Sequence, residues 1–290
     1  MRSKAQEKLK TEFKCQLSEF VENLKGHIST PDNQWTIKGF IDVFKNIYTI
    51  SADTKIVSKI LEIHLFPILL EFANKNNYRI VLAEQQNYYP DLSFVLAEDE
   101  SIKFALDLKT TYRLRDNPEF CNGFTLGSHG EYFNNRTSHK NIQFPYEGYL
   151  GHFCLGIIYS RSASENIDET RTYNLSKLKS IVSVISNFQF FVREKWEIAS
   201  DYQGSSNTAN IGSITRISDI LEGNGVFKNL GEQWFDDYWM NYDKIQMNMP
   251  DGKVKKITLL KNFLMYRGQD PKLANPMTRK PAHKKRQVQK

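Results

Sequence analysis

The chain has 290 residues, of which 40% are hydrophobic and 13% aromatic, enough to bury a sizeable core and to exclude wholesale disorder. Its net charge of +6 suggests an anionic partner, but residues 279–290 hold six cations and no acid, so the rest of the chain is formally neutral. Cys15, Cys121 and Cys154 are too widely spaced for a disulfide framework or a zinc site, and we interpret them as reduced cytoplasmic thiols. No apolar run is long enough to cross a bilayer.

Hydrophobic periodicity predicts the elements of the N-terminal part. Apolar residues at helical spacing predict a helix over about 13–24 that stops at Gly26. Residues 35–49 are rich in aromatic and β-branched side chains and favour strands or a hairpin. The strongly apolar stretch 55–75 predicts a second helix, for which Asp53 is a suitable cap.

The remaining predicted elements are strands at 79–83, 91–97, 102–109, 153–159 and 190–198, a polar loop at 201–213, and helices at 216–222 and 231–243. No internal repeat interrupts them, and no linker is evident before about residue 269. We therefore expect a single domain over 1–270, followed by a basic, disordered tail at 271–290.

The most informative segment is 89–109, in which two alternating runs flank a polar turn and predict a β-hairpin. A turn centred on Asp99 buries both apolar sets on one face. The same register places Asp91 opposite Asp107, with Lys109 one step further along that face. The core pairs that this register predicts are Leu96 with Ile102, Phe94 with Phe104, and Leu92 with Leu106.

This arrangement of charges suggests metal-assisted attack on a phosphate ester. Two opposed carboxylates repel each other, and a cation that prefers hard oxygen ligands, such as Mg²⁺, relieves that repulsion. A neighbouring lysine can orient a water or stabilise charge at a phosphorus centre. The alternative interpretation is an ordinary surface hairpin with solvated charges, because a Pro-Asp followed at this spacing by Asp-x-Lys occurs often by chance.

A longer match surrounds the motif. Residues 85–91 read Gln-Gln-Asn-Tyr-Tyr-Pro-Asp, and residues 107–112 read Asp-Leu-Lys-Thr-Thr-Tyr. These segments resemble the PD-(D/E)xK nucleases and, within that superfamily, the EcoRV-like type II restriction endonucleases. The resemblance is collinear from about residue 12 to residue 268. Its other matching stretches are 53–55, 124–127, 204–214, 237–239 and 266–268.

The resemblance implies a restriction-endonuclease-like α/β fold, with a mixed central sheet of five or six strands flanked by helices. It implies a homodimer that hydrolyses both strands of a short palindromic duplex and leaves 5′-phosphate ends, with residues of about 12–50 in the dimer contact. Asp91 and Asp107 would bind Mg²⁺, for which Mn²⁺ could substitute. Lys109 would position or activate the attacking water, or stabilise the developing charge. Glu62 is implied as a further metal ligand, although without the family it is equally well a surface residue of an amphipathic helix.

DNA contacts are implied on the catalytic strand and in two loops. The loop 85–87 resembles one that approaches the minor groove, although alone it is interpreted as a polar turn. The loop 204–210 resembles a major-groove recognition loop, in which Asn207 is the best candidate for reading adenine. Thr110 and Thr111 would support the site or contact DNA. The full implied set is Gln85, Gln86, Asn87, Thr110, Thr111, Gly204, Ser205, Ser206, Asn207, Thr208, Ala209 and Asn210.

The major-groove loop departs from the family pattern, since Ser206 stands in place of a glycine and Ala209 in place of a threonine. A Cβ at position 206 restricts the backbone there. The expected target is therefore GATATC or a close relative, cut bluntly at its centre, with the flexible TA step kinked. A cognate methyltransferase would protect the host DNA in the cytoplasm of a prokaryotic cell.

Two other functions stay open on sequence grounds. One is a PD-(D/E)xK nuclease with a DNA repair or structure-specific role. The other is a non-catalytic DNA-binding module, which the intact set of two acids and a lysine disfavours. The basic tail at 279–290 either adds salt-dependent affinity for DNA or is a passive extension.

Overall fold

The structure is a computed structural model, and it describes residues 2–85, 87–163, 168–204, 209–248 and 254–281. Its helices are α1 (Lys4–Ile28), α2 (Thr54–Lys75), α3 (Glu131–Asn134), α4 (Ile217–Glu222), α5 (Glu232–Asn241) and α6 (Leu260–Tyr266). Its strands are β1 (Gly39–Ile41), β2 (Asn46–Thr49), β3 (Tyr78–Leu82), β4 (Leu92–Leu96), β5 (Lys103–Tyr112), β6 (Thr125–Ser128), β7 (Gly151–Arg161), β8 (Thr172–Asn174), β9 (Ile185–Glu194), β10 (Ala199–Gln203), β11 (Asn210–Ser213), β12 (Gln246–Asn248) and β13 (Val254–Lys256). Among the helices described, none is long and apolar enough to span a membrane.

A five-stranded sheet in the order β3-β4-β5-β7-β9 forms the centre of the molecule. Strands β5 and β7 run parallel, and the other neighbours are antiparallel. Helix α1 packs against β9, and α2 packs against β3 and β5. The α/β fold with a mixed central sheet flanked by helices is therefore confirmed.

The predicted hairpin forms β4 and β5, but it lies in the interior of the sheet and not at its surface. Strand β3 pairs with one side of it and β7 with the other. The interpretation as an ordinary surface hairpin is therefore wrong. The three predicted core pairs are present, Leu92 with Leu106 and Phe94 with Phe104 as strand partners, and Leu96 with Ile102 through a backbone hydrogen bond of 3.0 Å.

The sheet separates two cores. On one face, Phe13 of α1 stacks on Phe104 with ring centroids 4.2 Å apart and lies 5.3 Å from the ring of Phe153. All three rings are fully buried. On the other face, alternate residues of the same strands, such as Ala105 and Cys154, pack against the C-terminal helices. The period-2 alternation of the strands thus supplies both cores.

Two helix ends test the predicted caps. Asp53 caps α2 as predicted, accepting hydrogen bonds from the backbone N–H groups of Lys55 and Ile56 at 2.9 and 3.3 Å. Helix α1, however, passes through Gly26 and ends at Ile28, so the predicted stop was wrong. The extended backbone of Ser29 ends the helix instead, with its N–H and its hydroxyl both donating to the carbonyl of Lys25.

Three other boundaries also differ from the predictions. Strand β9 ends at Glu194, and a 3₁₀ turn over Lys195–Glu197 replaces the rest of the predicted strand. Residues on both sides of the predicted polar loop 201–213 form strands, β10 and β11, which pair with each other. The hydroxyl of Ser200 adds a hydrogen bond of 2.8 Å to the carbonyl of Gly212 across this pair. Side-chain hydroxyls therefore stabilise a pairing that hydrophobic periodicity could not reveal.

The start of the expected tail is packed. A 3₁₀ turn spans Pro271–Leu273, Ala274 is 7% exposed, and Asn275 donates its backbone N–H to the carbonyl of Val226 at 3.0 Å. The expectation of disorder from residue 271 was therefore wrong for this stretch, because it has polar partners on the body of the protein. Residues 282–290 lie outside the described part of the chain.

Candidate active site

The two predicted acids lie together at the start of β4 and in the middle of β5. The backbone N–H of Asp91 points to Asp107 Oδ1 at 3.4 Å, and the backbone N–H of Leu108 donates to Asp91 Oδ2 at 2.8 Å. Each carboxylate is thus tied to the strand that carries the other. The Asp107 side chain is 3% exposed and that of Asp91 is 37% exposed. The predicted register brings one buried and one accessible acid together.

Two lysines contact this pair. Lys109 Nζ lies 3.3 Å from Asp107 Oδ2 and 3.8 Å from Asp91 Oδ2, so it bridges both acids as the motif predicts. Lys195 Nζ lies closer still, 2.7 Å from Asp107 Oδ2, and its side chain is 5% exposed. Sequence reasoning missed Lys195. The available signal was a lysine inside a predicted apolar strand, which needs a buried partner if the strand is correct.

Electrostatics distinguish the two acids. Burial and the nearby charge of Asp107 raise the pKa of Asp91. Burial also acts to raise the pKa of Asp107, but the charges of Lys109 and Lys195 outweigh it and lower that pKa. Conversely, burial acts to lower the pKa of Lys109, but the two carboxylates outweigh it and raise that pKa. Asp107 is therefore held ionised, whereas Asp91 takes up a proton more readily until a further cation is near.

Burial and the neighbouring charge of Lys109 lower the pKa of Lys195, although the carboxylate of Asp107 acts against them. The ammonium group also lies 3.8 Å from the centroid of the Tyr89 ring, which offers it a cation–π contact. Burial of the Tyr89 phenol raises its pKa well above the usual value, so the ring stays neutral beneath the cation.

The acids open into a cleft of about 380 Å³. Both acids and Lys109 line it, together with residues from the turn after the first predicted DNA loop and from the region of β6 and β11. The other lining residues are Asn87, Tyr88, Tyr89, Gly127, Ser128, Gly130, Glu131, Tyr132, Asn141 and Asn210. The cleft therefore joins the acid pair to parts of both loops that were predicted to contact DNA.

Glu62 lies on α2, outside direct contact with the acid pair. Its carboxylate pairs with Lys59 Nζ at 2.7 Å, and its charge contributes to raising the pKa of Asp91. Within the described residues, no three His, Cys, Asp or Glu side chains gather closely enough to hold one ion. The role of Glu62 as a metal ligand stays a prediction.

Among the described residues of the two predicted DNA-binding loops, Asn87 and Asn210 line the cleft. Gly204 donates its backbone N–H to the carbonyl of Asn210 at 2.8 Å, which closes the base of the loop that was predicted to read the major groove, and Ala209 accepts from the N–H of His129 at 2.8 Å. Gln85 is exposed. Of the remaining predicted residues, Gln86, Ser205, Ser206, Asn207 and Thr208 lie outside the described residues.

The two threonines that follow Lys109 are held by the fold. The hydroxyls of Thr110 and Ser58 lie 2.5 Å apart, which joins β5 to α2. Thr111 is 2% exposed. Of the two roles that the sequence left open, this placement favours support of the site over contact with DNA.

Comparison with known proteins agrees with this geometry. The family model described as "Restriction endonuclease EcoRV" matches residues 31–268. The chain belongs to the EcoRV restriction endonuclease family. The type II restriction enzyme EcoRV of Escherichia coli is 35% identical over 239 residues, which cover 82% of this chain and 94% of that enzyme. Membership in the EcoRV family identifies the protein as a type II restriction endonuclease, which is a DNA-binding nuclease and a hydrolase.

Among solved structures, the NlaIV restriction endonuclease is similar with a TM-score of 0.36 and 14% identity, covering 68% of this chain and 66% of that chain. Enzymes of the EcoRV family generally use a divalent metal ion, and binding of duplex DNA follows from the same membership.

Proposed function

We propose that this enzyme cleaves the palindromic duplex GATATC, or a close relative, with a blunt central cut. It would hydrolyse both strands with Mg²⁺ and leave 5′-phosphate and 3′-hydroxyl ends. The observation that carries the proposal is the gathering of Asp91, Asp107 and Lys109 at one cleft, in a chain of the EcoRV family. Residues 1–270 would supply the catalytic and DNA-binding functions, with the packed chain continuing to about residue 281.

The acid pair fits a divalent ion. Asp107 Oδ2 is buried against the ammonium groups of Lys195 and Lys109, and the more exposed carboxylate of Asp91 lines the cleft beside it. Carboxylate oxygens suit Mg²⁺, and Mn²⁺ accepts the same ligands. Asp91 and Asp107 would hold the ion, and Glu62 would join them from α2. When bound, the ion supplies positive charge at the scissile phosphate and makes a nearby water more acidic.

Lys109 acts at the reacting phosphate. Its ammonium lies between the two acids, and its side chain is 24% exposed, so it reaches both the carboxylates and the open cleft. From there it would orient the attacking water and stabilise the charge that develops on phosphorus oxygens. Before an ion binds, the two carboxylates raise the pKa of Lys109, so this side chain is a cation beside the acid pair.

Sequence reading would come from the two predicted DNA-binding segments, 85–87 and 204–210. One described residue of each, Asn87 and Asn210, lines the cleft that holds the acids. We assign minor-groove contacts to the first loop and major-groove contacts to the second, with Asn207 reading adenine. Ser206 and Ala209 are the positions at which a relaxed or altered site would originate.

A homodimer would present two such sites to the two strands. Strands β1 and β2 form a hairpin that exposes several apolar side chains, with Val43 89% and Phe44 81% exposed. Phe40, Ile41 and Tyr48 are also exposed on this hairpin. Such a patch is typical of a surface that another protein covers. We place the dimer contact on this hairpin, within the predicted range of about 12–50.

The dimer is tested by Phe44→Glu combined with Val43→Glu, measured by sedimentation or light scattering. The wild-type enzyme should be a dimer and the double variant a monomer, because two buried charges per subunit oppose the contact. Met265→Glu, on an α6 side chain that is 56% exposed, is the matched control and should leave the dimer intact. If the wild-type enzyme is a monomer, or if the double variant is still a dimer, the hairpin is not the dimer contact.

The biological setting follows from the same proposal. A nuclease of this specificity acts on DNA inside a prokaryotic cell, in the cytoplasm. A methyltransferase that modifies the same site would form the other half of a restriction–modification pair. Genomic DNA of the host should therefore resist the enzyme.

The decisive experiment is digestion of a genome of known sequence, followed by sequencing of the fragment ends. Blunt ends centred on GATATC, formed with Mg²⁺ or Mn²⁺ and not with a chelator, are expected. Discrete ends at another palindrome would replace GATATC as the proposed recognition site and would leave the proposed mechanism unchanged. Smearing or cutting at branched DNA alone would favour a repair or structure-specific nuclease. If Asp91→Ala cleaves as fast as wild type, the catalytic assignment is wrong.

A further inference from the structure

We propose that Lys195 is a positioning residue, which serves as the counter-ion of Asp107 and thereby releases Lys109 for the reacting phosphate. The inference deepens the proposed function and rests on its assignment of Asp91, Asp107 and Lys109. It starts from an unequal pair of lysines on one carboxylate oxygen. Lys195 Nζ lies 2.7 Å from Asp107 Oδ2 with its side chain 5% exposed, and Lys109 Nζ lies 3.3 Å away with its side chain 24% exposed.

Stability does not explain a lysine at this position. Burial of an ammonium costs free energy that an ion pair rarely returns in full, so an apolar side chain of similar volume would serve the fold as well. Lys195 also lies behind the acid pair and does not line the cleft with Lys109. A buried cation that touches one catalytic carboxylate is therefore best explained by what it does for that carboxylate.

The surroundings are shaped for this ammonium group. Gly127 has a φ of +107°, and a Cβ at this position would lie 3.2 Å from Lys195 Nζ. On another side the Tyr89 ring lies 3.8 Å from the same atom and stacks in parallel with Tyr132, with centroids 5.3 Å apart. The absence of a side chain at 127 and the flat ring of Tyr89 leave room for the head group of Lys195 while limiting its movement.

The backbone that carries Lys195 is anchored from its far side. Glu194 donates its N–H to Glu197 Oε2 at 2.8 Å, which closes the 3₁₀ turn. Lys14 of α1 pairs with Glu197 at 2.7 Å, and Lys10 of the same helix pairs with Glu194. Helix α1 thus fixes the turn, and the turn directs Lys195 to Asp107.

The chemical consequence is a division of labour between the two lysines. When Lys109 moves toward a phosphate or a water, Asp107 would otherwise be left as a buried, unpaired carboxylate, which is costly. With Lys195 in place, Asp107 keeps a counter-ion and its orientation. Without Lys195, Asp107 has Lys109 as its near cation and retains it, so the chemical step slows while the acids remain able to bind metal.

The test is Lys195→Met, which keeps the length and apolar volume of the side chain and removes its charge. Three quantities are measured on the full-length protein: the single-turnover cleavage rate at saturating Mg²⁺, the affinity for Mn²⁺ by calorimetry without DNA, and the affinity for duplex DNA without metal. We expect a rate lower by roughly 10- to 100-fold, Mn²⁺ affinity equal to or tighter than wild type, and DNA affinity within about twofold. Tighter Mn²⁺ binding would follow because Lys195 no longer competes for Asp107 Oδ2.

Lys103→Met is the matched control, since it removes a half-buried lysine from the same face of β5 without touching Asp107 or the turn that carries Lys195. An equal loss of rate in both variants, or a parallel loss of rate and Mn²⁺ affinity in Lys195→Met, would make Lys195 a structural residue and overturn the proposal. So would a wild-type rate. If Lys195→Met does not fold, Lys195→Gln takes its place, and failure of both to fold also counts against a positioning role.

A failure of the positioning role can be distinguished from a failure of the proposed catalytic site. Asp91→Ala tests the catalytic site itself. If Asp91→Ala is inactive and Lys195→Met cleaves at the wild-type rate, the catalytic site stands and the positioning role fails. If Asp91→Ala is fully active, the site assignment fails, and the role of Lys195 fails with it.

Discussion

The two faces of the central sheet use the same strands for opposite purposes. The face toward α1 and α2 buries a continuous set of apolar side chains, with Phe104 stacked on Phe13 at its centre. The opposite face buries polar and charged groups among its apolar ones, including Ser93, Asp107 and His152. A one-residue step along β5 therefore separates a side chain that stabilises the fold from one that belongs to the proposed catalytic site.

The difference shows how a sheet can carry a buried charged site. The apolar face supplies free energy of burial, which offsets the cost of desolvating the charges on the other face. Each buried charge on the second face has a partner of opposite sign within a short distance, as Asp107 has in Lys109 and Lys195. Substitutions on the two faces should therefore separate activity from stability.

The largest expected effect on the charged face comes from Lys109→Met. We expect cleavage to fall by about a thousandfold or more, because the charge that faces the phosphate is lost. The free energy of unfolding should change by about 1 kcal/mol or less, since Lys195 still pairs with Asp107. Single-turnover cleavage and chemical denaturation measure the two quantities. Lys103→Met on the same strand and face is the control, and comparable loss in both would contradict the assignment.

The matching change on the apolar face is Phe104→Ala. It should lower the free energy of unfolding by about 3–5 kcal/mol, because it removes a fully buried ring and leaves a cavity against Phe13. The cleavage rate of the folded fraction should stay within a fewfold of wild type. Leu82→Ala, at a side chain that is 52% exposed on β3, should cost far less. A stable but inactive Phe104→Ala would erase the distinction between the faces.

The smallest effect concerns pH and the buried polar face. Burial lowers the pKa of His152 well below its usual 6.5, and its ring nitrogen shares a 2.8 Å hydrogen bond with the Tyr89 hydroxyl. The unfolded chain takes up a proton at this histidine near pH 6.5, whereas the folded protein does not. Its contribution to stability is therefore complete above pH 6.5 and is lost as the pH falls below that value.

His152→Asn should remove this dependence, which amounts to about 1.4 kcal/mol per pH unit for one proton. Denaturation curves of wild type and variant between pH 7 and pH 5 should converge as the pH falls. His139→Asn, at an exposed position, is the control and should leave the wild-type slope. Parallel curves for His152→Asn would mean that this imidazole is charged in the folded state.

The local alternation of apolar and polar residues correctly predicted those elements whose contacts are between residues close in sequence. The alternation in β4 and β5 predicted their register, and that register placed Asp91 beside Asp107. The same reasoning failed at Gly26, where the cap at Ser29 decided the helix end. Hydrophobic periodicity indicates which face of an element a residue occupies. It does not indicate the residue at which capping hydrogen bonds end that element.

Lys195 could not be predicted because its role depends on distant parts of the chain. The strand before it ends at Glu194 through side-chain contacts with α1, and the resulting turn directs the ammonium into the site. Neither the contacts nor the turn leaves a periodic signal. The exposed hairpin of β1 and β2 was predicted as an element, whereas its solvent-facing apolar side chains became evident in three dimensions.

Because Asp91 and Asp107 lie on one hairpin, they can come together early while the chain is being synthesised. Asp91 and Asp107 meet through contacts only 16 positions apart, which form with a small loss of chain entropy. The contact of Lys195 with Asp107 must wait until β7 and β9 have emerged from the ribosome and joined the sheet. In a nascent chain the two acids would therefore pair before Lys195 reaches Asp107, so the contact that we propose to position Asp107 would form last.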